Sequence, residues 1–395
     1  MHMLSLTAVY VVFTALALIL YTWLGYPILL KVLLTFRKKT TSGKGSEQRG
    51  GAFPSVTVIL PVYNASSRIE AKLRNTLLLD YPADKLDVIV VSDGSCDDTE
   101  DKMRALTSDF VRLVVLNRNQ GKSSAQNRAV REARGELVLF TDVDSELDRE
   151  YLQRIVPAFA DTQVAGAGGM AVLRVDGGHV SRSLGAYLRL EHFLRCAESE
   201  LGMLHTLPGW GFVVRKSEFV PLASDTGDDM IIPLDLAVRK KRCVLVPEAV
   251  VADAMPSSIR GEFRARRRIT LRNLTGIMRR RMLLNPFAFP RMAFALWSHK
   301  ILRWLTPVFL ILLLLSTALW EISAGDPLAA VLLAGQLVFY AAGGLGILLA
   351  LKDIRVPVIG FLASFLLFNI GFLSGLISYL KGERVFSYTN HGDTV

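Results

Sequence analysis

The sequence predicts an α/β domain with a mostly parallel sheet, carried between membrane-spanning helices. Three observations support that expectation. Short apolar runs at 56–60, 87–92, 111–116 and 137–141 alternate with stretches of helical spacing, the pattern of βαβ units. Each run ends in a cluster of polar residues, which is where an open α/β sheet binds its ligands. The chain is 51% hydrophobic, yet the excess lies at its two ends, and the middle reads as an ordinary soluble domain.

The ends come first because they set the boundaries. Residues 4–34 are apolar and long enough to cross a bilayer, for which about 20 residues suffice. The first charged side chain is Lys31, at the far end. A cleaved signal peptide would begin with positive charge, so a retained membrane helix is expected. Residues 301–320, 328–351 and 356–380 are three further candidates, with Arg303 able to snorkel to the interface. The expected organisation is a membrane helix in 1–36, a linker in 37–53, a catalytic-type domain in 54–256, basic and interfacial helices in 257–299, three membrane helices in 300–381 and a polar tail in 382–395. Lys31, Arg37, Lys38 and Lys39 flank the domain on one side; Arg279 to Arg281, Arg291, Lys300 and Arg303 flank it on the other. By the positive-inside rule the domain is cytoplasmic. Four spans then put both termini outside, which strands Lys381 and Arg384 on the far side. Cys96, Cys196 and Cys243 show no metal spacing and read as free thiols in a reducing compartment.

Within the domain, residues 40–52 are polar and Gly-rich, as flexible linkers are. The first strand ends in Pro61-Val62-Tyr63-Asn64, and a helical pattern follows through Leu79. The second ends in Asp93-Gly94-Ser95, the third in the stretch NRNQGKSSAQNRA at 117–129. A nucleotide needs an acceptor for its base N–H and donors for ribose and phosphate. Asp93 can accept from a uracil ring. Gly121 lets the backbone come close, and Lys122 at a helix start adds positive charge to free N–H groups. A turn with a helix cap accounts for Asp93 to Ser95 equally well, and Lys122 taken alone is a surface lysine. The fourth strand ends in Asp142 and Asp144, one residue apart. Such a pair repels itself unless a cation intervenes, and hard divalent ions that also hold phosphates take carboxylate ligands. A solvated acidic turn is the plain alternative.

Further on, residues 164–174 read as a strand of small residues against which something packs closely, and 184–200 as a helix. Gly209-Trp210-Gly211 places an aromatic between glycines, suited to stacking on a sugar or base face, and equally to a core tryptophan at a tight turn. Asp228 and Asp229 open a helix, either as a general base and its neighbour or as simple capping at the positive end of the dipole. Residues 243–254 suggest a short strand pair around Pro247 and Glu248. From Ser257 the chain is helical and strongly basic, for lipid headgroups and for a diphosphate. Residues 282–299, with aromatics and prolines, suit the membrane interface. The net charge of +10 does not point to nucleic acid, because the arginine helix lacks interleaved aromatics and adjoins a membrane span.

The motifs PVYNAS, VSDGS, NQGKSSAQN, FTDVD and GDD, followed by an Arg-rich helix, occur in that order. The set resembles the membrane-bound branch of the family-2 glycosyltransferases, over about residues 54–285. The resemblance implies a GT-A nucleotide-sugar fold. It implies uridine binding by the first strand-end motif (Pro61, Tyr63, Asn64) and by Asp93 with Gly94, and Mg²⁺ or Mn²⁺ on the diphosphate at Asp142 and Asp144. It implies a catalytic base at Asp229 beside Asp228. Processive relatives such as cellulose and hyaluronan synthases carry Q-x-x-R-W. Here the equivalent is Ala265-Arg266-Arg267-Arg268-Ile269: Arg268 is kept, Gln and Trp are not. The expected activity is therefore inverting transfer from a nucleotide sugar, UDP-linked, to a lipid-linked or membrane-proximal glycan, with Lys122 and Arg268 on the phosphates and Gly209, Trp210 and Gly211 at the acceptor. The expected location is a bacterial or archaeal cell membrane. A processive polysaccharide synthase that secretes its polymer, and an inactive membrane scaffold, are the rivals.

Overall fold

In the chain the strands are β1 (Val56–Val62), β2 (Leu86–Asp93), β3 (Val111–Leu116), β4 (Leu137–Thr141), β5 (Glu146–Leu147), β6 (Val164–Arg174), β7 (Gly211–Arg215) and β8 (Arg242–Ala254). In the computed structural model, which describes residues 2–36, 53–174, 181–254, 259–352, 354 and 356–385, they form one sheet in the order β3-β2-β1-β4-β7-β6-β8-β5. The first four run parallel, as the alternation of strands and helices predicts. β7 then enters antiparallel between β4 and β6, and β8 runs parallel to β6. The inner strands β1, β2 and β4 of the parallel half are covered on both faces, which is why they run as near-continuous apolar stretches. Val58, Leu60, Val88 and Leu139 point into one core with Ile69 and Leu73 of the helix Ile69–Leu77. Ile59, Ile89, Val91 and Phe140 point into the other, with Ala125 and Ala129 of the helix Lys122–Glu132. The period of two along each strand sorts the side chains between these layers.

The small residues of β6 have a concrete cause. A Cβ at Gly169 would lie 2.1 Å from the Ala249 carbonyl oxygen, and one at Gly168 would lie 2.4 Å from Cδ of Pro208. The expected strand pair around Pro247 and Glu248 is instead the single strand β8, which passes those residues through an irregularity in its register with β6.

Among the described residues, four helices are long and apolar enough to cross a membrane: Met3–Phe36, Pro290–Ala324, Pro327–Ala350 and Ile359–Leu380. The first has a π turn at Tyr21–Gly25. It runs antiparallel to the second, with Trp23 Nε1 donating to Thr306 Oγ1 at 3.2 Å and Ala8 and Val12 packed with Leu313 and Trp320. The expected interfacial segment 282–299 is shorter than foreseen, because helix already begins at Pro290 and continues through a π turn, Leu296–Ile301, into Leu302–Ala324.

One expectation is overturned. Strict alternation of four spans puts the chain end opposite the catalytic domain, yet the last helix ends on that domain. Its Gly371 and Gly375 lie against Arg266 and Thr270 of the basic helix Ile259–Arg279. Beyond them Glu383 pairs with Arg267 at 2.6 Å, and Arg384 with Asp225 at 3.6 Å. The cationic end that alternation strands on the far side is thus docked beside the acid pair. The expected linker at 40–52 lies outside the described residues, as do 386–395 of the expected tail and Asp353 and Arg355 of the expected turn at 352–357.

Candidate active site

The loops that leave β1, β2, β3 and β4 meet at the carboxyl edge of the parallel half-sheet. Asn64, after β1, takes a left-handed conformation (φ +47°). Its N–H donates to Ser95 Oγ at 3.1 Å and its Oδ1 accepts from the Cys96 N–H at 2.8 Å. Gly94, after β2, has φ +71°, and a Cβ there would lie 2.5 Å from the Arg118–Asn119 backbone. Only glycine fits both demands, so the second and third loops close on each other. Asp93 fastens that closure: its two oxygens accept from the N–H groups of Gln120 and Gly121, at 2.8 and 2.7 Å. Burial pushes the Asp93 carboxyl up from its ordinary value, against the pull of those two backbone donors.

Gly121 (φ +88°) releases the chain into the helix Lys122–Glu132. Lys122 Nζ then lies 2.7 Å from Asp142 Oδ1 and 3.1 Å from Asp228 Oδ2. One turn on, on the same face, Gln126 Nε2 donates to the same Asp228 oxygen at 2.6 Å. Three distant pieces of chain are therefore tied by one ammonium group.

The turn carrying Asp142 and Asp144 is braced from beneath. The buried Lys72 ammonium donates to Thr141 Oγ1 at 2.8 Å and to the Ser145 carbonyl at 2.6 Å. Ser145 Oγ donates to the Asp142 carbonyl at 2.8 Å, and the Thr141 hydroxyl bonds the Trp210 carbonyl at 3.0 Å. Asp144 projects to solvent, where it pairs with Arg68, whose other terminal nitrogen reaches the Asn64 carbonyl at 3.4 Å. Two carboxylates from one braced turn offer only oxygen, the donor set of a hard divalent cation, and so fit Mg²⁺ or Mn²⁺.

Asp228 and Asp229 open the helix Asp228–Val238. A Cβ on the preceding Gly227 would come 2.7 Å from Asp229 Oδ1 and 2.9 Å from Asn273 Oδ1. The Asp229 carbonyl accepts from the Leu207 N–H at 2.8 Å, and Gly209 faces its Cβ. The two neighbours titrate apart. Burial raises Asp228, but Lys122, Gln126 and Arg272 outweigh it and leave the carboxyl below its ordinary value. Burial and then the charge on Asp228 push Asp229 above it. For Asp142 burial again prevails, opposed chiefly by Lys122.

The structure thus joins Asp93, Gly94, Lys122, Asp142, Asp228, Asp229 and Gly209 at one edge, and links Asn64 to Asp144 through Arg68. Pro61 and Tyr63 are at the end of β1, Pro61 in register with Val91. Trp210 is half-buried with its ring packed against the core, and Gly211 begins β7 opposite Thr141. Arg268 is half-buried on the basic helix. It is Arg272, one turn later, that donates to the Thr226 carbonyl ahead of the acid pair. Arg272, Gln126, Lys72 and Arg68 were not singled out in the sequence. Helical spacing was the available signal for Gln126 (Lys122 plus four) and Arg272 (Arg268 plus four); Lys72 and Arg68 carry none.

A family model described as Glycosyl transferase family 2 matches residues 57–216, and one described as Glycosyl transferase family group 2 matches residues 137–343. An N-acetylglucosaminyltransferase of Mesorhizobium japonicum is 27% identical over 252 residues, 58% of each chain. A poly-beta-1,6-N-acetyl-D-glucosamine synthase of Staphylococcus aureus is 26% identical over 270 residues, 63% of this chain and 64% of that one. The chain spans about three fifths of the length of these curated relatives. The mannosyltransferase PcManGT of Pyrobaculum calidifontis, solved with GDP-Man and Mn²⁺, has a similar fold: TM-score 0.73 at 23% identity, covering 96% of this chain and all of that one.

Proposed function

The chain belongs to glycosyl transferase family group 2, and we propose that it is a membrane-integrated inverting glycosyltransferase that moves a sugar from a nucleotide diphosphate to a lipid-linked or membrane-proximal glycan. The observation that carries this reading is Lys122, which holds both Asp142 of the D-x-D turn and Asp228 of the acid pair. Donor phosphates and acceptor hydroxyl then share one cleft. Asp229, its proton affinity raised by burial and by Asp228, takes the proton of the acceptor hydroxyl. The freed oxygen bonds the anomeric carbon as the bond from that carbon to the diphosphate breaks on the opposite face, which inverts the configuration. Asp228 stays ionised and holds Lys122 and Gln126 in place. Lys122 and Arg272 bring positive charge to the departing diphosphate. A divalent cation held by Asp142 and Asp144, when bound, neutralises charge on the same leaving group. Asp93 acts first on the protein itself, fixing the Gln120–Lys122 backbone, and keeps lone pairs for a base N–H.

A lipid-linked acceptor is supported by an apolar cavity of about 310 Å³ between the basic helix and the membrane helices, lined by Leu274, Met278, Trp304, Leu305, Leu373 and Leu376. The names of the two curated relatives make UDP-N-acetylglucosamine the first donor to try, and the GDP-Man bound to PcManGT makes GDP-mannose the second. The test is a panel of UDP- and GDP-sugars incubated with purified protein and membrane lipid extract. Release of nucleotide diphosphate coupled to a glycosylated lipid is expected. No turnover with any donor supports the inactive-scaffold rival instead.

A second reading, a processive synthase, is favoured by the polymer-forming name of the Staphylococcus aureus relative. Against it stand Ala265 and Ile269 where Gln and Trp of the processive motif occur. Product length decides: one sugar added per acceptor, or a ladder.

A further inference from the structure

The most deeply buried polar cluster is not in the cleft. Glu198 and His205, on and just after the helix Ser181–Glu200, meet His299 from the π turn at the domain-facing end of the second membrane helix. All three side chains are fully buried, and their ligand-type atoms lie within 4.8 Å of one another. Glu198 has no Lys or Arg partner among the described residues. Its contacts are His299 Nδ1 at 2.6 Å, the Tyr26 hydroxyl at 2.8 Å and His205 Nδ1 at 3.5 Å. A fully buried carboxylate must be paired with a cation or coordinate a metal.

The histidines separate those options. The Met203 backbone bonds the His205 ring, and Glu198 Oε2 lies 3.5 Å from His205 Nδ1 but makes no hydrogen bond of its own. An imidazolium at His299 would satisfy one oxygen of Glu198 and leave the other facing His205 Nδ1 at 3.5 Å, beyond normal hydrogen-bond length. On the far edge of His299, Nε2 faces Glu191 Oε1 at 3.2 Å. Glu191 is in turn held by Arg303, with Lys300 at 4.0 Å. A carboxylate that accepts from Nε2–H fixes the tautomer in which Nδ1 presents its lone pair, the usual outer partner of a metal-bound histidine. Arg303 and Lys300 pair with Glu191; Lys300 also lies in the field of Glu198 but forms no ion pair with it.

We propose that Glu198, His205 and His299 form a buried site for a divalent metal of the zinc class, separate from the cation at Asp142 and Asp144. The donor set of one carboxylate and two imidazoles is one that zinc takes, with a fourth position for water. Closing the three atoms to tetrahedral spacing, roughly 3.3 Å for bonds near 2.0–2.1 Å, requires side-chain shifts of an ångström or so and parts His299 Nδ1 from Glu198 Oε1. The metal would tie the membrane helices to the loop after Glu200. That loop reaches the cleft, since Leu207 donates to the Asp229 carbonyl.

The full-length protein, purified in detergent from zinc-supplemented cells, is analysed for metal after passage over a desalting column. About one zinc per chain is expected, as for one site of three protein ligands, and it stays in the double variant Asp142→Asn, Asp144→Asn. His205→Gln and His299→Gln each lose it. Chelator-treated wild-type protein, titrated with cobalt(II), gains the visible absorption of a four-coordinate ion, which zinc then displaces, and zinc raises its unfolding temperature. These wild-type readings stand even where a histidine variant fails to fold. The proposal is overturned by wild-type protein with no zinc and no cobalt band, by zinc lost from the Asp142, Asp144 double variant, or by full zinc content in His205→Gln.

Discussion

A network of carboxylates and cations in the cleft and another where the membrane helices meet the domain differ chiefly in their access to water. In the cleft, Lys122, Asp142 and Asp228 keep 10, 23 and 8% of their side-chain surface exposed. Each member has a partner that a ligand can replace: a phosphate for Asp142 at Lys122, a cation for Lys122 at Asp142. At the junction, Glu191 and Arg303 are 5 and 3% exposed, and His299 and Glu198 not at all. There the side chains are closed to bulk water, and removing one partner leaves a charge stranded in a low dielectric. The same chemical groups thus make a water-facing site in one place and a sealed joint in the other.

The largest expected effect comes from breaking the cleft at Asp229. Asp229→Asn should lower turnover by about 10²–10⁴-fold, the usual contribution of a positioned general base, with nucleotide binding by calorimetry unchanged. Its effect on stability should run the other way. The folded-state pKa of Asp229 is raised, so the fold favours its protonated form. That contribution is complete below the unfolded pKa and is lost as pH rises through the folded one, leaving the ionised native state penalised at neutral pH. Asn removes the penalty, and the unfolding temperature at pH 7 should rise. In the wild-type enzyme the same shift places the acid limb of kcat/KM above the ordinary aspartate value. A limb at or below that value assigns the base elsewhere.

The junction should respond in stability rather than chemistry. Arg303→Met leaves Glu191 with His299 and the more distant Arg195 and Lys300. Breaking a buried pair in this way costs about 3–5 kcal/mol, read as a fall in unfolding temperature. Turnover per folded molecule should change far less than in Asp229→Asn. If Arg303→Met is as stable as wild type, the two networks do not differ as their burial says.

This contrast also explains what the sequence made legible. The parallel half-sheet was readable because β1, β2 and β4 are buried on both faces and run as near-continuous apolar stretches. Asp93, Lys122, Asp142 and Asp229 were readable because they stand at strand ends or helix starts, positions with meaning in one dimension. Lys72, Arg68 and Arg272 were not, since each is defined by a partner 46 to 76 residues away, and surface helices carry such residues routinely. Glu198, His205 and His299 failed for the same reason: 101 residues separate Glu198 from His299, and no local spacing announces their meeting. The docking of the chain end was misread because alternation of spans counts hydrophobic length alone. Gly371 and Gly375, the residues that let the last helix lie on the basic helix, look like ordinary membrane-helix glycines in sequence.

That docking seam supplies the two smaller tests, one of packing and one of charge. A Cβ at Gly375 would lie 2.7 Å from Thr270 Cβ and 2.9 Å from the Arg267 carbonyl, backbone that cannot swing aside. Gly375→Leu should therefore destabilise by about 1–3 kcal/mol, as overpacking does, and should loosen the helix beneath Arg272, raising KM for the donor.

Arg267→Ala, a few residues away on the same seam, should do much less. It removes the ion pair to Glu383 and the hydrogen bonds to Ser378, but both charged groups are more than two fifths exposed, where water already screens them. Turnover within about twofold of wild type, and an unfolding temperature at the limit of detection, are the expected results. Close packing at Gly371 and Gly375 is then what fixes the chain end to the domain, with the ion pair only decorating it. A large loss in Arg267→Ala together with a mild Gly375→Leu would reverse that order. It would also mean that a solvated pair can act as the joint that burial reserves for Glu191 and Arg303.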